Sequence, residues 1–346
     1  MGVDILPQKT KVKKKMASDM KIFMVVCIIV TLIIAASIIY IVMPKDIAAV
    51  KNGKVSNAEF KFYYSQSYLQ WYSAYLMGLL GNVDEQTVID FAKQQALSQA
   101  VEVEYLLQEA QKEGFSVSRE DMDAALEKFD SDIKKASEEY GISQNKLCIE
   151  QYGVKYGQAR NIYSNLVKAQ KYREKIISDM QVGEEELKSY YEENKESFDY
   201  NTVSHILIKC EEDAEESVVE EKKKTAESIL ERVNNGEDFA ELVKKYSEDE
   251  GSIENGGQYD VKKGQMVEEF EEWTFSHEVG DTGIVKTQYG FHVMRLDGIK
   301  NTFEDLRDSV EKSYKENKYQ TVLQETLNEG EYKVEIKDAY YEFTGM

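Results

Sequence analysis

Three histidines occur in this chain of 346 residues, and two of them, His205 and His292, sit in runs that read as buried strands. The first run is VSHILIK, beginning at Val203. The second is TQYGFHVMRL, beginning at Thr287. Both are short, apolar and rich in β-branched residues. Between them lie a charged helix, a DFAELVKKYS segment, a glycine-rich loop and a GQMVEEFEEWTF block. That order describes a small α/β unit whose first and last strands could bring the two imidazoles together. The cysteines offer no comparable chemistry. Cys27, Cys148 and Cys210 form no CxxC and show no ligand spacing, and a bridge between Cys148 and Cys210 is disfavoured. The run CEEDAEE, from Cys210 to Glu216, carries five acids and reads as the solvated start of a helix rather than a cation site. No glycine-rich phosphate loop with a lysine is present.

The pieces HILIK, GEDFAELVKKYSED, NGG, KGQMVEEFEE and VGDTGIVKTQYGFHVMRL follow one another in the order of a known domain. The stretch resembles a parvulin-type peptidyl-prolyl isomerase. The flanking regions resemble those of membrane-attached foldases of the PrsA and SurA type. Isomerisation of an X-Pro bond faces a barrier of ~18–20 kcal/mol and takes tens to hundreds of seconds unaided. A catalyst has to hold the bond out of its resonance plane, which calls for an apolar slot for the ring and a polar wall near the carbonyl. It requires neither metal nor cofactor.

The resemblance implies roles for particular residues. His205 and His292 match the paired histidines of the family. Asp249, in YSEDEGS, falls where the family has Cys or Asp. Thr287 matches a threonine that hydrogen-bonds toward the histidines. Met266 and Phe270 match the apolar proline pocket and are expected to share a helix face at i, i+4. One departure stands out: GGQYDVKKGQM lacks the family's DLG, and Tyr259 occupies the place of the leucine that walls the pocket. His277 matches nothing and is expected on the surface. The acids of CEEDAEE stand where phosphate-directed parvulins carry arginines, so phosphorylated substrates are not expected.

Charge is unevenly placed. Residues 1–21 hold six lysines and two aspartates, leaving 37 basic and 62 acidic residues, a net of −25, to the remainder. An acidic body argues against nucleic-acid binding. The basic leader precedes a charge-free run from Ile22 through Met43, long enough as a helix to span a bilayer. The lysines place the N-terminus in the cytoplasm and the body outside. A cleaved signal peptide is the rival reading, against which the apolar run is too long. Only Pro7 and Pro44 are proline, so the body cannot be its own substrate.

Beyond the anchor, Asn52-Gly53 reads as a hairpin turn and Ser56-x-x-Glu59 as a capping box. The helix it opens carries Phe60, Tyr63, Tyr64, Tyr68, Trp71, Tyr72 and Tyr75. These rings either pack the domain or cradle unfolded chains. Helices are expected from near Asp84 to Glu113, from Ser118 to Tyr140, around Lys146 to Tyr152, from Gly157 to Met180, and as one piece from Val182 to Phe198. After the isomerase-like stretch come a helix from Thr302 to Glu329 and a strand, EYKVEI, expected to return to the run near Ala48–Val50.

The fold class expected is α+β, with a basic leader (1–21), a transmembrane anchor (22–43), a helical chaperone region (44–200), a parvulin-type domain (201–299) and a returning C-terminal helix and strand (300–346). The function implied is an extracytoplasmic prolyl isomerase and chaperone, with a non-enzymatic holdase as the alternative. Its partners would be unfolded or partly folded secreted polypeptides and the membrane, with no nucleic acid. The oligomeric state stays open, a dimer included.

Overall fold

The computed structural model describes residues 45–345. The leader and the run from Ile22 to Met43 lie outside the described residues, among which no helix is long and apolar enough to cross a membrane. The chain divides into two compact units, one formed by the residues up to Lys175 together with those from Leu323 onward, the other by Ile176–Val322.

The first unit is built on a three-stranded antiparallel sheet of order β2-β1-β7, with β1 at Ala48–Val50, β2 at Gly53–Val55 and β7 at Val334–Ile336. The two ends of the chain therefore pair as expected, Ala48 opposite Ile336 and Val50 opposite Val334. The hairpin turn falls one residue earlier than the Asn52-Gly53 signal suggests. Lys51 and Asn52 form it, Lys51 has φ 51°, and Gly53 already pairs with Val50. A Cβ at Gly53 would displace the flexible side-chain ends of Glu104 and Gln108.

Helix α1 (Asn57–Leu76) opens with the Ser56–Glu59 capping box. Helices α2 (Glu85–Lys112), α3 (Arg119–Glu139) and α4 (Gln144–Tyr152) are capped by Asp84, Ser118 and Ser143. Each cap side chain accepts a backbone N–H left unpaired at the helix start. Helix α5 spans Tyr156–Asp179.

In the second unit the expected single helix from Val182 to Phe198 is two, α6 (Glu184–Glu193) and α7 (Lys195–Phe198). Asn194 breaks it at φ −123°, ψ 19°, with its amide donating back to the Tyr190 carbonyl at 2.8 Å. A short polar side chain that bonds its own backbone competes with helix continuation. A four-stranded antiparallel sheet follows, of order β4-β3-β6-β5: β3 is Tyr200–Lys209, β4 Gln258–Val261, β5 Thr282–Thr287 and β6 Gly290–Lys300.

Alternation along β3 and β6 serves two cores. Ile206, Ile208, Phe291 and Val293 face α8 (Glu216–Asn234) and α9 (Phe239–Tyr246). Val203, Met294 and Leu296 face α10 (Glu268–Ser276), whose Phe270 and Trp273 cover them. Both faces are buried, which is why these strands read as near-continuous apolar runs. Helix α11 (Phe303–Asn328) packs Phe303, Leu306 and Val310 on Leu187 and Tyr191 of α6. Toward its C-terminal end Leu323 is buried, while the adjacent Val322 is exposed. A last short helix, α12, spans Asp338–Tyr341. Cys148 and Cys210 are free thiols, both buried.

Candidate active site

The central strands β3 and β6 set the histidines. His205 lies opposite Met294, and His292 opposite Leu207, so the two rings project from the same face on a diagonal. They stack at 5.2 Å between centroids with Nδ1 atoms 3.0 Å apart, and both are buried.

Asp249 reaches them because the loop after α9 runs beside β3. Glu248 N–H donates to Leu207 O at 2.8 Å, and the Glu248 carboxylate accepts Lys209 N–H at 2.7 Å. The NGG segment then returns along the same strand, with His205 N–H donating to Gly257 O at 2.9 Å. Only glycine fits at 257. Its φ is +79°, and a Cβ would stand 2.3 Å from the His205 carbonyl oxygen.

The polar contacts form one chain with a fixed direction. Asp249 Oδ2 lies 2.9 Å from His205 Nε2. An ionised carboxylate can only accept, so His205 carries its proton on Nε2 and presents a bare Nδ1. His292 therefore donates from its own Nδ1. Its Nε2 accepts from the Thr287 hydroxyl at 2.9 Å, and Thr287 Oγ1 in turn accepts Tyr289 N–H at 3.1 Å.

Electrostatics agree with this order. Partial burial by itself would raise the Asp249 carboxyl; hydrogen bonds from Ser252, His205 and Tyr259 outweigh it and hold the group below the ordinary carboxylate value. Burial lowers His205 despite the neighbouring Asp249. Burial and the adjacent His205 push His292 down to about 4. Both rings are thus neutral at pH 7 beside an ionised Asp249.

The apolar side is formed by Phe270, whose ring meets His205 and His292 edge-on at 5.6 and 5.4 Å. Met266 packs in the same cluster but does not share a helix face with Phe270. Helix α10 starts at Glu268, and Val267 is its extended N-cap, so Met266 comes from the preceding loop. Glu268, Glu269 and Glu271 favour that start because carboxylates are stabilised at a helix N-terminus.

Tyr259, on β4 opposite Val203, lies edge-on to His205 at 5.4 Å and donates its hydroxyl to Asp249 Oδ2 at 3.0 Å. Ser252 lies outside the residues to which the resemblance gives a role. It is fully buried and donates to the same oxygen at 2.5 Å. The only sequence signal for it is a serine three residues after the aspartate. His277 is half-buried rather than a free surface group, stacked on Trp273 at 4.3 Å with its Nδ1 bonded to the Trp273 carbonyl at 2.8 Å.

Comparison with known proteins places both halves of the chain. Residues 188–300 match the family described as PPIC-type PPIASE domain, and residues 10–139 the SurA-like N-terminal domain. The foldase protein PrsA of Caldanaerobacter subterraneus is 32% identical over 295 residues, 82% of this chain and 84% of that protein. PrsA of Geobacillus kaustophilus is 34% identical over 220 residues, covering 61% of this chain and 70% of its own length. The crystal structure of PrsA from Bacillus subtilis aligns over 88% of this chain and 99% of its own, at 22% identity and a TM-score of 0.32. The chain belongs to the PrsA foldase family, a peptidyl-prolyl isomerase and chaperone with a PPIC-type domain following a SurA-like one.

Proposed function

We propose that His205, Asp249, Thr287 and His292 form the polar floor, and Met266, Phe270 and Tyr259 the walls, of the site where this foldase rotates X-Pro bonds. The observation that carries the assignment is the directed hydrogen-bond chain from Thr287 through both histidines to Asp249, closed on one side by the Phe270 ring.

The planar amide carries partial negative charge on its carbonyl oxygen, and that charge is lost as the C–N bond twists. A carboxylate held near that oxygen disfavours the planar form more than the twisted one, so it lowers the barrier without forming a bond. The neutral histidines fix Asp249 in place and add no charge that would cancel it. Phe270 and Met266 offer the proline ring an apolar surface.

The reading extends to the rest of the chain. Residues 201–299 act as the isomerase domain, residues 44–200 with 300–346 as the helical chaperone region, and residues 22–43 as an uncleaved anchor that holds the body outside the cytoplasmic membrane. Clients are unfolded or partly folded secreted polypeptides. A proline-isomerisation assay on the full chain, compared with Asp249→Asn, tests the site; an unchanged rate in the variant would remove Asp249 from it. Protease added to intact cells tests the topology, and a body protected until lysis would refute it.

A further inference from the structure

The Asp249 carboxylate is bound asymmetrically. Oδ2 receives three donors, from Ser252 at 2.5 Å, His205 at 2.9 Å and Tyr259 at 3.0 Å. Oδ1 takes part in none of these bonds. Two of the donors come from outside the histidine chain and from different segments. Ser252 is fixed in the loop by its backbone, which donates to Asp249 O at 3.1 Å and accepts from Gly257 N at 2.7 Å. Tyr259 is fixed by the ladder between β4 and β3.

We propose that Ser252 and Tyr259 are positioning residues for prolyl isomerisation, clamping Oδ2 so that Asp249 stays ionised and presents Oδ1 to the peptide carbonyl. The proposal rests on the assignment of Asp249 to the site. It also gives Tyr259 a task that a leucine at that position cannot perform. The aromatic ring still lines the pocket, while the hydroxyl supplies a donor to the carboxylate.

Without the clamp, Asp249 would be a partly buried carboxyl whose one remaining donor is His205, itself disfavoured as a cation by burial. Loss of either hydroxyl should therefore let the carboxyl take up a proton at higher pH. The titratable groups facing Asp249 are His205 from β3, Tyr259 from β4 and, one ring further, His292 from β6. Neighbouring Glu248 turns away to Lys209 N–H and Lys222.

The test uses the full chain with Tyr259→Phe, Ser252→Ala and the double variant, and Asp249→Asn as the reference. Turnover of an unphosphorylated X-Pro peptide is measured across the acid range, alongside the NMR titration of the Asp249 side-chain carboxyl. Each single variant should lower kcat about 3- to 10-fold with KM within about twofold, the scale of one net hydrogen bond, since the remaining donors still hold Asp249. The acid limb of the rate and the carboxyl titration should rise together by about half a pH unit or more, and further in the double variant. A merely structural role would lower activity without moving either curve. If neither curve moves in either variant while Asp249→Asn loses turnover, the clamp is refuted and the site assignment stands. If Asp249→Asn turns over at the wild-type rate, the assignment falls and the proposal with it.

Discussion

The site around Asp249 and the outer half of helix α1 are both rich in rings, yet they are built in opposite ways. At Asp249 two neutral imidazoles, three hydroxyls and one carboxylate oxygen, Oδ2, form a directed network against Phe270. Along α1 the rings divide by position. Phe60, Tyr63 and Tyr64 are buried, with Phe343 edge-on to Phe60 and Tyr64 at 5.0 and 4.8 Å. Further along, Tyr64, Tyr68 and Tyr72 stack in a ladder at 5.7 and 5.3 Å, beside a cavity of about 750 Å³ that Leu69, Ile89 and Tyr152 also line. Leu69, and beyond the cavity Leu76, Met77 and Leu79, are each more than two-thirds exposed. Packing accounts for the first half of the aromatic stripe. The second half leaves an apolar surface exposed, where the alternative of a cradle for unfolded chains can be tested. A network of directed hydrogen bonds selects one geometry, whereas stacked rings accept many.

The sharpest way to break this contrast is to disable the two regions separately. Asp249→Asn combined with Met266→Ala should lower prolyl turnover by about 100-fold or more, the scale on which preorganised electrostatic groups contribute. Suppression of aggregation of an unfolded protein should be unchanged. Loss of both activities together would show that the two regions do not work independently. Met266 suits this test better than Phe270, because it is half-buried while Phe270 is 4% exposed and its truncation would cost about 3–5 kcal/mol of stability.

Acid should separate the regions next. All three histidines lie between residues 205 and 292, so the helical unit contains none. His292 titrates at about 4 in the folded protein against an ordinary value of 6.5. Below about pH 6.5 the unfolded chain takes up a proton that the folded site refuses until about pH 4. The stabilisation is complete above the upper value and is lost as pH falls toward the lower one, roughly 3 kcal/mol in all. His205 shifts in the same direction. Hydrogen exchange followed from pH 7 to pH 4 should show amides of β3 and β6 losing protection, with His292→Gln flattening the dependence. An unchanged β3–β6 profile would mean that the imidazoles are not held neutral.

Much of the polar half of this contrast was legible in the sequence. The histidines stand out because strands buried on both faces leave few polar residues, and the order of elements brings the first and last strands together. Asp249 was legible only through the family resemblance, which puts Cys or Asp at that place; among the neighbouring acids of YSEDEGS nothing else sets it apart. Other features were hidden for physical reasons. A tyrosine hydroxyl can reach any acceptor within its swing, so the bond from Tyr259 to Asp249 is invisible without the β4 register. The start of α10 was placed too early because Met266 and Phe270 have helical spacing, while the acids that set the boundary come after it. On α1, spacing alone could not separate buried from half-buried rings, since both continue the same stripe.

A smaller effect is expected from the α1 ladder. Tyr68→Ala with Tyr72→Ala removes half-buried rings whose stacking contributes about 0.5–1.5 kcal/mol each. Aggregation suppression should fall several-fold while turnover of a short X-Pro peptide stays at the wild-type level. A fall in turnover of similar size would assign these rings to the isomerase reaction.

The smallest effect concerns charge at the rim of the polar site. The loop after β3 with the first residue of α8 carries Glu211, Glu212, Asp213, Glu215 and Glu216 and is largely exposed. It lies at the same end of the sheet as the turn that follows Thr287, because Cys210 N–H donates to Tyr289 O at 3.2 Å. A phosphate on the residue before proline would approach a negative field, and solvent and salt would screen most of the repulsion. Phosphorylating a Ser-Pro peptide should therefore lower kcat/KM about two- to fivefold at low ionic strength and less at 0.15 M salt. Replacing Glu211 and Glu212 by lysine should reduce or reverse that preference without changing turnover of the unmodified peptide. A native preference for the phosphorylated peptide would show that a cationic group reaches the rim and outweighs the five acids.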